Sequence, residues 1–185
     1  MPRFLCFVGK SFKTFLFGII PFMLLAGGSK ENYEKSRLDN GSYSFNVEGK
    51  LNFHLDGAAA FQSRTEVDKL GHRTDKLLLS FTTCNDEREQ TLEFIIASKA
   101  KGKRGIQAGK HKIKSINRLM NSFSGVYGFA DLGSVSELPF FIKSGDITIT
   151  ESFSNIVDGK LEVQLENAEG EVLLINGSFN ADIKV

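Results

Sequence analysis

The sequence predicts an all-β fold: one antiparallel β-sandwich or β-barrel of about eight to ten strands, behind an amino-terminal signal peptide. Three observations carry this. Apolar residues recur at every second position in short runs, the period of a strand with one buried face. Turn-forming pairs break those runs at regular spacing, among them Asp56-Gly57, Glu169-Gly170 and Asn176-Gly177. No window keeps the 3.6-residue period of an amphipathic helix beyond about two turns. The 185 residues, 41% hydrophobic and 24% charged, suit one domain with a sizeable core and exclude long disorder.

Residues 1–28 read as the signal peptide. Arg3, Lys10 and Lys13 give a positive start, and no acid occurs before Glu31. Residues 14–26 carry no charge, and Ala26, Gly27 and Gly28 supply a small-residue exit with cleavage after Gly28. As a helix this run rises about 20 Å, short of the roughly 30 Å hydrocarbon core. Export to the periplasm or the outside is therefore expected. An uncleaved anchor through residues 14–28 is the alternative. Cleavage leaves 20 basic and 22 acidic residues, and Cys84 as the lone cysteine, read as a strand-end residue without chemistry.

Residues 29–41 are polar and read as a flexible leader, and 42–185 form the β-domain. Tyr43, Phe45 and Val47 alternate with polar residues, and Gly49-Lys50 makes a turn. Leu51, Phe53 and Leu55 follow, then a hairpin at Asp56-Gly57 and a third strand over 58–64. Residues 68–75 are a polar connection. Strands are expected over 76–83 and 91–98, joined by the charged turn 85–90. A basic, glycine-bearing loop spans 99–109, and alternation returns over 110–116. A short helix fits only near 115–122. A glycine-bent strand covers 121–129, a loop 131–137 and a short edge strand 140–142. Gly145-Asp146 leads into the strand 147–150. Asp158-Gly159 leads into Leu161, Val163 and Leu165. Glu169-Gly170 turns into 171–175, Asn176-Gly177 gives a further turn or bulge, and 179–185 closes the domain.

Four segments carry a family resemblance: residues 45–50 (FNVEGK), 109–113 (GKHKI), 144–149 (SGDITI) and 176–180 (NGSFN). Over roughly residues 43–182 the chain resembles small exported β-rich proteins of Bacteroidota, which are often lipoproteins. The resemblance implies the fold and the compartment, and brings no catalytic residues. Leu25-Ala26-Gly27 looks like the start of a lipobox, but Gly28 stands where the lipidated cysteine belongs.

No catalytic set, metal site or cofactor is expected. His54, His72 and His111 have no second histidine or cysteine at ligand spacing, whereas zinc needs several such ligands. His54 and Asp56 share a strand face, read as solvated. Glu162 and Glu166 share another outward face. Gly102, Gly105 and Gly109 lack the Gly-Lys-Ser/Thr ending of a phosphate loop.

One segment stands apart. Residues 99–118 hold Lys99, Lys101, Lys103, Arg104, Lys110, Lys112, Lys114 and Arg118, and no acid. The rest of the mature chain carries 12 basic and 22 acidic residues. Period two places Lys110, Lys112 and Lys114 on one face, at roughly 7 Å spacing. Such a row meets an anionic glycan or lipopolysaccharide, or else blunts a strand edge. Without interleaved aromatics, nucleic acid is not the expected partner. The 17 phenylalanines read as core, or as the wall of a lipocalin-like cavity for a small hydrophobic ligand. The expected function is thus a non-enzymatic binding or structural role at the cell envelope. A carrier of a small hydrophobic ligand is the alternative.

Overall fold

A computed structural model describes residues 38–85, 88–100, 105–113 and 124–184. The signal peptide, most of the leader and the proposed 115–122 helix lie outside them. Nine strands form one sheet: β1 (Ser42–Glu48), β2 (Phe53–Val67), β3 (Arg73–Asn85), β4 (Arg88–Lys99), β5 (Gly109–Lys112), β6 (Gly125–Asp131), β7 (Phe140–Ser152), β8 (Ile156–Glu166) and β9 (Val172–Ile183). Eight of them close on themselves. The ladder runs β1-β2-β3-β4-β6-β7-β8-β9, and β9 pairs antiparallel with β1. Of the two predicted architectures, the protein is therefore the barrel, wound up and down. Closure satisfies the strand edges that an open sheet would expose.

β5 is the extra strand. It pairs with β7 from Gly109↔Ile149 to Lys112↔Asp146. β6 meets β7 at only two residue pairs, Phe129↔Phe141 and Ala130↔Phe140. Beyond them β5 takes β6's place beside β7, and the wall splays there.

Period two decides what faces inward. Register aligns inward residues into layers across neighbouring strands. One layer runs Ala59, Phe81, Leu92 and Ala130; the next runs Phe61, Leu79, Phe94 and Gly128. Tyr43, Phe45, Phe81, Phe94, Phe140 and Phe179 are buried. Phe81 sits centrally, 5.0–6.1 Å centroid to centroid from Phe45, Tyr43, Phe179 and Phe94. These are the separations of tilted and edge-on aromatic pairs, each worth about 0.5–1.5 kcal/mol beyond area burial. At this level side chains fill the barrel.

One end is covered. Residues 132–139 cross it, with Leu132 buried and Val135 packed on the core. Gln90 Nε2 donates to Ser134 Oγ at 2.6 Å. Asn167 accepts from the Glu169 and Glu171 backbone N–H groups at 3.0 and 2.9 Å. It donates to Ser136 Oγ at 3.4 Å, linking two loops of this end.

Several expected turns are corrected. Asp56-Gly57 lies inside β2, which runs unbroken from Phe53 to Val67. A Cβ on Gly57 would stand 2.2 Å from the Thr82 carbonyl oxygen, so the glycine admits close strand approach rather than a turn. Asp158-Gly159 and Asn176-Gly177 likewise lie within β8 and β9, whose mutual register is continuous. The predicted edge strand 140–142 is neither short nor an edge. It opens β7, which pairs on both sides. Gly145 does not start a strand but sits in a bulged stretch of β7, with register shifts at Ile142/Ser144 and Ile149/Glu151. Its φ of +113° suits glycine. The turns expected at Gly49-Lys50 and Glu169-Gly170 are present, within the connections 49–52 and 167–171, and Leu51 belongs to the first of these rather than to a strand.

Candidate functional site at the cleft-bearing end of the barrel

At the opposite end the inward positions change character. Below it, Ser63 faces Leu77 across the β2–β3 ladder, and Leu77 faces Ile96 across β3–β4. One step outward the aligned residues are Thr65, Asp75 and Ser98. Asp75 shares its strand face with Leu77, Leu79 and Phe81, and is only 2% exposed. This corrects its placement in a polar connection. The connection is shorter, and its turn is built on Asp68, which accepts from the Leu70 and His72 backbone N–H groups at 2.8 and 2.9 Å. Thr65 Oγ1 donates to Asp75 Oδ1 at 2.5 Å, the only hydrogen bond to the Asp75 side chain among the described residues.

Two clefts open around this polar layer. One, of about 580 Å³, is walled by Phe61, Leu77, Ile106 and Phe153, with Ser63, Arg64 and Thr65 on its polar side. The other, of about 600 Å³, is bordered by Asp75, Ser98, Lys99, Gln107, His111 and Ser124. Gly105 and Gln107 border both. Ile106 is buried in the core, and so pins the 105–108 segment between them. A smaller recess of about 180 Å³ lies at the splayed wall, between Lys110–Lys112 and Ser124–Val126. Each of the two larger volumes falls in the range that holds a small ligand.

The basic segment is partly in view. Lys99, Lys110 and Lys112 are exposed, and all three border these recesses. Lys110 Nζ lies 2.9 Å from Asp146 Oδ2. That hydrogen bond, reinforced by the carboxylate's charge, holds the lysine's pKa above its ordinary value. Lys110 is thus largely answered within the protein. Lys99 and Lys112 have no ion-pair partner among the described residues. Lys101, Lys103, Arg104, Lys114 and Arg118 lie outside the described residues.

The histidines take structural partners. His54 Nδ1 lies 3.0 Å from Asn46 Oδ1, and its Nε2 lies 3.3 Å from Ser44 Oγ, across the β1–β2 ladder. His72 Nδ1 lies 2.9 Å from Asp68 Oδ2, within a turn. His111 Nε2 lies 3.0 Å from the Gln107 carbonyl, which places its ring beside the second cleft. Among the described residues no group of three or more His, Cys, Asp and Glu side chains is placed to hold a metal ion. Among them, too, no helix is long and apolar enough to cross a membrane.

Asp75, Thr65 and Ser98 were not read as site residues from the sequence. The available signal was parity: Asp75 continues the inward series Leu77, Leu79, Phe81 toward the chain start. The chain matches no protein-family model, and no curated protein or solved structure is detectably similar to it. The site must be read from its own chemistry.

Proposed function

We propose that the protein is an exported, non-enzymatic binding barrel of the cell envelope, which contacts an anionic glycan or lipopolysaccharide at its cleft-bearing end. One observation carries this reading: Lys99, Lys110 and Lys112 all border the recesses at that end. Exposed lysines beside a concave surface favour an anionic ligand by charge, and the walls supply shape. The test is retention on immobilised lipopolysaccharide or heparin over a salt gradient. Changing Lys99, Lys110, Lys112 and Lys114 together to Gln is expected to shift elution to lower salt. Unchanged, salt-insensitive retention refutes the reading.

The apolar wall of the first cleft favours a second reading, a carrier of a small hydrophobic ligand. Phe61, Leu77, Ile106 and Phe153 would bury its apolar part. Native mass spectrometry of protein exported with its own signal distinguishes the two. A copurified lipid-sized mass supports the carrier, whereas a bare mature mass supports the surface-binding role. The same spectrum reads whether cleavage follows Gly28.

A further inference from the structure

We propose that the cleft bordered by Asp75, Ser98, Lys99, Gln107, His111 and Ser124 binds a small zwitterion, with its ammonium group on Asp75 and its acidic group at Lys99. The inference rests on the cleft-bearing end being the ligand-binding end, and it names the ligand's chemistry.

Among the described residues no ion pair answers the Asp75 carboxylate. Asp75 is 2% exposed on the inward face of β3, yet it borders a cleft of about 600 Å³. Desolvating a carboxylate is costly unless a cation or several hydrogen bonds answer it. The described residues offer it one hydroxyl, Thr65 Oγ1 at 2.5 Å on Oδ1. Asp75 belongs to no ion pair among them, although the less buried acids Glu66 and Asp68 nearby do. The register explains why Lys99 does not close on it. Lys99 stands opposite Thr74, in the outward set of β4, whereas Ser98 stands opposite Asp75. Lys99 is left exposed on the rim of the same cleft. Among the described residues, one cleft thus presents a carboxylate without an ion-pair partner at its inner wall and a lysine without one at its rim. A ligand carrying both signs answers both, and Ser98, Ser124 and Gln107 supply hydrogen-bonding groups of either polarity. A purely anionic ligand would leave Asp75 unanswered and would be repelled by it.

The test is an NMR titration of the mature protein, reading the backbone amides of Ser98 and Gln107. Phosphoethanolamine is the zwitterionic probe. Inorganic phosphate, ethanolamine and N-acetylated phosphoethanolamine are its incomplete counterparts. Phosphoethanolamine is expected to bind saturably, about tenfold or more tighter than phosphate, since a charge-assisted hydrogen bond to a buried carboxylate is among the stronger kind. Asp75→Asn keeps the shape and the acceptor for Thr65 but removes the charge. It is expected to lower phosphoethanolamine affinity to that of phosphate. Lys99→Gln is expected to weaken phosphate and phosphoethanolamine in parallel.

The N-acetylated probe needs no variant. It keeps the phosphate, loses the ammonium, and is expected to bind wild-type protein no better than phosphate. Unchanged affinity in Asp75→Asn, equal binding of the acetylated probe, or no saturable binding of phosphoethanolamine overturns the inference. The two readings fail separately. Saturable phosphate binding without an ammonium preference refutes this inference and leaves an anion-binding end. Ethanolamine binding that Asp75→Asn abolishes, with no response to phosphate, supports the Asp75 contact while refuting the anionic-ligand function.

Discussion

Replacing Phe81 with alanine tests whether the barrel is packed solid below its cleft-bearing end. Phe81 is wholly buried, and four aromatic rings stand within 5.0–6.1 Å of its centroid. Truncating a buried phenylalanine costs about 3–5 kcal/mol, with the higher values where neighbours cannot collapse into the space. Here collapse is resisted from two sides. The four neighbouring rings are fixed to three strands, Tyr43 and Phe45 on β1, Phe94 on β4 and Phe179 on β9, and those strands are held by ladders on both edges. Losing several edge-on ring contacts adds to the transfer term. The expected loss is therefore about 4–5 kcal/mol, a large part of the roughly 5–15 kcal/mol a domain has. Urea denaturation followed by circular dichroism measures it, with the m-value checked for constancy. Phe141→Ala is the matched control. Phe141 is 54% exposed, and its truncation is expected to cost under about 1 kcal/mol. Benzene is expected to raise the Phe81→Ala midpoint, because a dry apolar cavity binds it. A loss below about 2 kcal/mol for Phe81→Ala would refute the filled-core reasoning, and would favour a hollow carrier.

Two further outcomes follow from single groups. The Tyr43 hydroxyl is buried beside Thr83 without a hydrogen bond that satisfies it, and burial, aided by the Asp56 charge, pushes its pKa from 10.0 up to about 12. Tyr43→Phe is expected to be neutral or stabilising by about 1 kcal/mol near pH 7, since an unsatisfied buried hydroxyl is a cost. Because the unfolded phenol ionises first, wild-type protein loses stability as pH rises from 10 through about 12, and the variant should lose less; equal alkaline losses in urea melts would refute this. The Asp68 carboxyl is held below its ordinary pKa, first by the His72 side-chain hydrogen bond and then by backbone N–H groups. Its stabilisation is present above the ordinary carboxylate range and is lost as pH falls through the lowered value, so Asp68→Asn should flatten part of the acid limb; an unchanged slope would refute it.

The positions of most strands along the chain were legible because alternation is local. Tyr43, Phe45 and Val47 declare one face of β1 whatever lies beside it, and the same holds for Leu161, Val163 and Leu165 on β8. Glycine pairs misled because a glycine marks close approach as well as a turn. Only the neighbouring strand tells the two apart, as the Thr82 carbonyl does at Gly57. The basic segment was legible from charge alone, since no acid interrupts residues 99–118. Asp75 was not, because one carboxylate beside Lys76 reads as a polar connection until the neighbouring strands bury it.

The sequence by itself determined that the domain is all-β, which faces are apolar, and that its charge is segregated. These follow from spacing and composition, and need no long-range partner. The tertiary structure decided that the sheet closes, that 132–139 cover one end, that among the described residues the clefts lie at the other, and that Asp75 lies inside while Lys99 lies on the rim. Those depend on register between strands far apart in the chain. A slip of one residue would exchange inward and outward side chains, and no local pattern fixes which strand supplies the partner.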